Sequence, residues 1–227
     1  MDTITDYLGA FLQANDALFP TGAYAHSFGL EEMVRWGLVR DEATLLAFLQ
    51  KQVIPAQQHL DLPYVRYAFE ATLTHDLVTL GALNDEMKAL KLCQETREAS
   101  TGLGSRRLRT ALAISPNALL DQFGAQTNAP HHVIVYGLQM ATGAIPLETT
   151  LTGYFYQALA GPCSAALKLI RIGQEGIQRV LHGGLKEAGA AISGSLEIPR
   201  DRAGWFNPLL EIASMRHAHA EERLFIS

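Results

Sequence analysis

The stretch from residue 131 to residue 172, HHVIVYGLQMATGAIPLETTLTGYFYQALAGPCSAALKLIRI, decides the architecture. Its two parts, 131–145 and 147–172, carry apolar side chains on nearly every helical face. A helix of that kind has no side to turn towards water, so it belongs in the middle of a bundle. Pro162, directly after Gly161, should bend or interrupt the second part, because proline removes a backbone donor and crowds the preceding turn.

Helical periodicity continues on either side. Leu46, Leu49, Val53, Ala56, Leu60, Tyr64, Tyr67 and Ala71 recur at steps of three and four, which is one face of a long helix. Asp41 and Glu42 suit its start, and Pro55 predicts a kink or break within it. Leucines from Leu73 to Leu90 mark a second long helix reaching about Glu98. Ser115-Pro116 reads as a cap with proline at the first helical position. Gly183-Gly184 reads as a stop, residues 190–204 show no helical period, and Asn207-Pro208 begins a last helix. No alternating strand pattern or internal repeat is present. The expected product is an all-α, single-domain helical bundle of about eight to ten helices. Its core would span 1–189, with a flexible linker at 190–206 and a mobile C-terminal helix and partner-binding tail at 207–227.

Bulk properties narrow the function. A chain of 227 residues can bury a full core, roughly 70–75% of its unfolded surface. Its net charge of −5 opposes nucleic-acid binding, which needs a basic balance. Cys93 and Cys163 stand too far apart for a zinc motif and do not suggest a disulfide framework. The start, MDTITDYLGAF, lacks a basic, apolar leader, and no run of eighteen apolar residues occurs. No membrane association and a cytoplasmic location are expected.

Few motifs carry chemistry. No phosphate-binding loop is present. Gly102-Leu103-Gly104 lacks the third glycine of a dinucleotide fingerprint and is expected to end or bend a helix. Among eight histidines, His217 and His219 would point about 200° apart on a helix and could not share an ion there, whereas in an extended tail they would face the same side and could. The adjacent His131 and His132 are expected at a helix end or on the surface. Arg97 and Ser100 share a helix face, followed by Arg106, Arg107 and Arg109, which reads as a solvated face. Lys168, Arg171, Glu175 and Gln178 would form one stripe if the helix continued through Gly173. Either it salt-bridges within the bundle, with Glu31 or Glu32 as candidate partners, or it lines a partner surface.

The most specific segment is LFPTGAYAHSFGLEE at 18–32. A turn at Pro20-Thr21-Gly22 leads into His26-Ser27 and then two carboxylates. Adjacency of His26 and Ser27 does not supply the geometry of a catalytic triad, so no catalytic residue and no metal ligand is assigned.

These residues resemble the urease accessory protein UreF family. Its Phe-Pro-x-Gly-x-x-x-His-Ser-x-Gly-Leu-Glu pattern matches Phe19, Pro20, Gly22, His26, Ser27, Gly29, Leu30 and Glu31. Its Arg-x-x-Ser segment matches Arg97 and Ser100, with Gly104 behind. Lys168, Gly173 and Gln174 fall where the family has Arg-Leu-x-Pro-Leu-Gly-Gln. Arg223-Leu224-Phe225-Ile226-Ser227 resembles its closing Arg-Leu-Phe-x-Ser. The resemblance implies an all-helical scaffold that is not an enzyme and binds no cofactor tightly. Such a scaffold dimerises, joins UreD (also called UreH), recruits the GTPase UreG, and helps pass nickel into the urease apoprotein while its partners use the nickel and GTP. It also implies that Pro20, Gly22, His26, Ser27, Gly29 and Glu31 shape a surface, with Arg97 and Ser100 close by. Arg223, Leu224 and Phe225 would anchor the tail in UreD, Phe225 as the peg. The alternatives from other classes are a direct nickel carrier using His217, His219 and other histidines, and a helical enzyme with its site at His26 and Ser27.

Overall fold

The computed structural model of the chain describes residues 4–218, 220 and 223–226. Every regular element among them is helical. The order is α1 (Ile4–Asn15), a 3-10 turn (Ala23–Ala25), α2 (Leu30–Arg35), α3 (Glu42–Phe48), α4 (Ile54–Ala56), α5 (Leu62–Leu73), α6 (Leu77–Leu90) and α7 (Gln94–Ile114). Then follow α8 (Ala118–Gln126), α9 (His132–Thr142), α10 (Leu147–Leu169), α11 (Gln174–Leu185), α12 (Ala188–Leu196), a 3-10 turn (Arg200–Arg202) and α13 (Pro208–Ala218). The all-α, single-domain bundle read from the sequence is the fold the chain adopts.

Helix α9 lies at the centre, as its apolar faces required. Ile134, Val135, Tyr136, Leu138 and Met140 are wholly buried. Its broadest contacts are with α5 on one side and α7 on the other. Both depend on a missing side chain. A Cβ on Gly137 would collide with the Val65 carbonyl oxygen of α5, and one on Gly104 of α7 would collide with the Pro130 carbonyl before α9. Gly104 therefore lets two backbones touch, and α7 runs straight through Gly102–Gly104 without ending there.

The prolines behave differently from expectation. Segments α3, α4 and α5 form one continuous rod, joined by π-helical turns at Leu49–Val53 and Gln57–Asp61. A π turn rewires the hydrogen bonds around a residue that lacks a donor, so Pro55 produces no break. Pro63, which starts α5 with Leu62, likewise leaves the His59 carbonyl without its usual i+4 donor. Gly204 supplies one instead, its N–H donating to that carbonyl at 2.8 Å. Helix α10 also continues through Gly161-Pro162 to Leu169.

Other boundaries move for local reasons. The second long helix stops at Leu90, and Arg97 closes the break by donating from Nη1 to the Lys91 and Leu92 carbonyls at 2.8 and 3.1 Å. Asn117, not Ser115, caps α8, its Oδ1 accepting from the N–H groups of Leu119 and Leu120. Residues 188–196 form α12, although they looked aperiodic. Their Ala, Gly and Ser give no apolar stripe, yet Ala191 and Ser195 are buried and α12 packs on α10 and α5. Asp41 does cap α3, in a reciprocal box with Thr44, and Asn207 does cap α13 by accepting from Leu210 N–H at 3.2 Å.

Candidate functional site

The N-terminal motif and the C-terminal tail meet. At the start of the motif, Thr21 N–H donates to Phe19 C=O across Pro20 at 2.7 Å, a three-residue turn that suits proline's fixed φ. Arg106 Nε donates to the Thr21 carbonyl, and its guanidinium lies 3.1 Å from where a Gly22 Cβ would sit. Phe28 and Gly29 follow in the left-handed region, with φ of 53° and 85°. That double reversal launches α2. A Cβ on Gly29 would sit 3.2 Å from Leu210 of α13.

His26 and Ser27 are both buried beneath this turn. Burial, then the positive Arg106, hold the His26 imidazole below its ordinary pKa of 6.5, so it stays neutral. The Ser27 carbonyl accepts the Leu30 N–H at 3.1 Å and its hydroxyl oxygen takes the Glu31 N–H at 3.5 Å. The pair organises a helix start, and its burial denies a substrate direct approach.

Glu31 is the focus. It is 4% exposed. Oε2 accepts from His217 Nε2 at 3.0 Å and from Phe225 N–H at 3.3 Å, and Oε1 accepts from Leu224 N–H at 3.1 Å. Arg35 adds a longer contact of 3.4 Å. Burial alone would raise this carboxyl's pKa, but the Leu224 N–H, His217 and the Phe225 N–H outweigh it and hold the group below 4.5. Beside it, Glu32 accepts from Arg216 Nε at 3.2 Å. Ile226 N–H donates to the Ala25 carbonyl at 2.7 Å, completing a strap across the motif.

This geometry revises the expected residue roles. Phe225 is a peg, but in its own bundle: it is 5% exposed, with Lys168 Nζ 5.3 Å from its ring centre. Leu224 and Arg223 point away and are exposed. Glu31 and Glu32 pair with Arg35, Arg216 and His217 instead of the Lys168 stripe, which does not exist because α10 ends before Gly173. Gly173 and Gln174 lie apart, at the start of α11. Ser100 bonds His131 Nδ1 at 3.0 Å; the 131–132 pair stands at a helix end as expected, at the start of α9, but turned inward, His131 being buried and His132 accepting from Arg107. His217 is spent on Glu31, and His219 lies outside the described residues. Among the described residues no group of three or more His, Cys, Asp or Glu could hold a metal ion.

Arg107 was missed. It is 1% exposed, yet donates to His132 Nε2, Gln139 Oε1 and the Ala14 carbonyl at 3.0, 2.7 and 3.1 Å. Its guanidinium sits between the Phe19 and Tyr136 rings. Burial lowers its pKa to about 10, so it remains a cation at neutral pH. Its place in a basic run, Arg106-Arg107-Leu108-Arg109, hid it. Only the helix phase, buried at Leu103, Arg107 and Ala111, could have separated it from its neighbours.

Fold and clasp together define a class: an all-α bundle whose N-terminal turn motif is locked to its own C-terminal tail. The family model for UreF matches residues 39–183. A urease accessory protein UreF of Paenarthrobacter aurescens is 33% identical over 225 residues, covering 97% of this chain and 98% of the relative. Those of Actinobacillus pleuropneumoniae and Haemophilus influenzae are 30% and 29% identical, covering 97% and 99% of this chain and 99% and 97% of those proteins. The chain belongs to the UreF family of urease accessory proteins. No helix among the described residues is long and apolar enough to cross a membrane.

Proposed function

We propose that this chain is a non-enzymatic scaffold of urease maturation. It binds UreD/UreH, recruits the GTPase UreG, and supports GTP-dependent nickel insertion into the urease apoprotein, acting in the cytoplasm as a homodimer. Family membership along nearly the whole chain supports this reading. The observation that carries it further is the outer face of α13. Ile212 and Met215 are 47% and 51% exposed, and Phe206 just before the helix is 62% exposed. Exposed large apolar side chains gathered on one helix mark a surface that another protein covers. With Phe225 turned inward, this face and Leu224 are the hydrophobic handle, and the Glu31 clasp holds it in position.

Co-purification with UreD and UreG, followed by urease activation with nickel and GTP, tests the proposal. A ternary complex and active urease are expected, and failure to assemble the complex would overturn it. Calorimetry on the isolated chain should find no tight stoichiometric nickel site. Finding one would favour the carrier alternative.

A further inference from the structure

The outer side of α13 borders an open cleft of about 790 Å3, whose other walls come from α2, the start of α7 and the tail. Ile212, Met215 and Arg216 line it together, so the apolar handle carries a cation at its edge. Two further guanidinium groups belong to the same cleft, Arg35 from α2 and Arg223 from the tail.

Arg216 is both exposed and held. Its side chain is 66% exposed, yet Nε donates to Glu32 Oε1 at 3.2 Å, and Glu32 is itself buried. The guanidinium also lies over the Trp36 ring, 6.0 Å from its centre. Among the described residues, Nη1 and Nη2 have no hydrogen-bond partner, and Glu32 is the one ion-pair partner. A guanidinium carries five N–H donors in a rigid plane. Here the Nε side is pinned and the Nη1–Nη2 edge is open. Its orientation is largely set before any partner arrives, which lowers the entropy lost on binding. The acids across the cleft are engaged locally: Glu95 takes the Cys93 thiol at 3.7 Å and Glu98 takes the Gln94 amide at 2.7 Å.

We propose that Arg216 determines what docks on this face: its Nη1–Nη2 edge takes a carboxylate of UreD through two parallel N–H bonds, while an apolar side chain beside that carboxylate packs on Ile212 and Met215. A planar pair of donors matches a planar pair of acceptors, which a lysine cannot reproduce. Arginine next to apolar side chains is also the composition of an interface hot spot. Arg35 and Arg223 add positive potential that steers an acidic segment inwards. A purely apolar segment would strip water from Arg216 and return no acceptor, which is unfavourable. This inference rests on the maturation reading and specifies the chemistry of its docking face.

Surface plasmon resonance of the full chain with purified UreD, at low and high salt, tests it. Arg216→Met should weaken the complex about ten- to a hundredfold. Arg216→Lys keeps the charge but not the fork, so association should retain its salt dependence while dissociation quickens about three- to tenfold. Arg179→Met removes a comparably exposed arginine, paired with Glu42 on a different part of the bundle, and should change nothing. Glu32→Gln breaks the ion pair but leaves the open edge, so it should weaken binding by no more than about threefold. In UreD, an amide scan of exposed Asp and Glu should find one substitution that weakens binding to the natural chain and adds nothing to Arg216→Met. The proposal is overturned if Arg216→Met behaves like Arg179→Met, if Glu32→Gln matches Arg216→Met, or if the scan finds no such carboxylate. Should Arg216→Met lose its helical circular dichroism, Arg216→Lys and the scan against the natural chain decide alone. No complex with the natural chain is a different result: it removes the maturation reading itself, and this inference with it.

Discussion

Around α9 the contacts are interlocked and mostly apolar, with Gly104 and Gly137 letting backbones touch and Arg107 fully bonded between α7 and α9, whereas the junction of α2 with Arg216, His217 and residues 224–225 rests largely on two carboxylates. The first region is limited by shape, since a close-packed interior cannot yield space for an added atom. The second is limited by charge. Removing a proton acceptor there changes little volume, yet strands several donors at once. The two halves should therefore fail under different insults, and at different pH.

The severest test of the shape-limited half is Gly104→Ala, whose new methyl meets backbone that cannot rotate away. A loss of about 3 kcal/mol or more is expected in chemical denaturation, and a loss below about 1 kcal/mol would show that α7 and α9 can separate cheaply. Next comes Arg107→Met, close in volume but without the donors that Ala14, Gln139 and His132 use. About 2–4 kcal/mol should be lost, and an unchanged unfolding midpoint would mean the aromatic sandwich alone suffices.

Glu31→Gln attacks the other half. About 2 kcal/mol should go, with faster amide exchange confined to the clasp and slow exchange retained in α9. Equal acceleration in both would erase the distinction. The pH dependence sharpens it. Glu31 has its carboxyl held below 4.5 in the fold, so its stabilisation is fully present above that pH. It is lost as pH falls through the lower folded value.

His131 works in another window. Burial, then Lys91 and Arg97, lower its pKa from 6.5 to about 4, so the unfolded chain takes up the proton first. Stability should decline between those two values, and His131→Asn should flatten that part of a denaturation-versus-pH curve. Gly173→Ala closes the series with under about 0.5 kcal/mol, because no atom of the described residues outside its own chain neighbours lies within 4 Å of its Cβ and its φ is negative.

The central pair of helices was legible because all-round apolarity has one cheap solution. So were the caps at Asp41 and Asn207, whose partners lie three residues away. Prolines misled wherever the bundle rescued them: nothing local to Pro63 announces that Gly204 will serve the carbonyl it orphans. The small residues of α12 hid a helix for the opposite reason, since tertiary packing selects them without leaving a stripe. Glu31 and Phe225 both stood out as motif residues, but their union did not. A contact across the whole chain has no periodicity to betray it.

The bond from Phe225 to Glu31 spans 194 residues. During synthesis at roughly 5–20 residues per second, Glu31 waits on the order of 10–40 s for its last donors to be made. Until residues 224 and 225 emerge, its carboxylate must remain in water or be buried without them. The core around α9 needs no such wait, so the clasp is a late-forming part of the fold, fastened only after nearly two hundred intervening residues have been made.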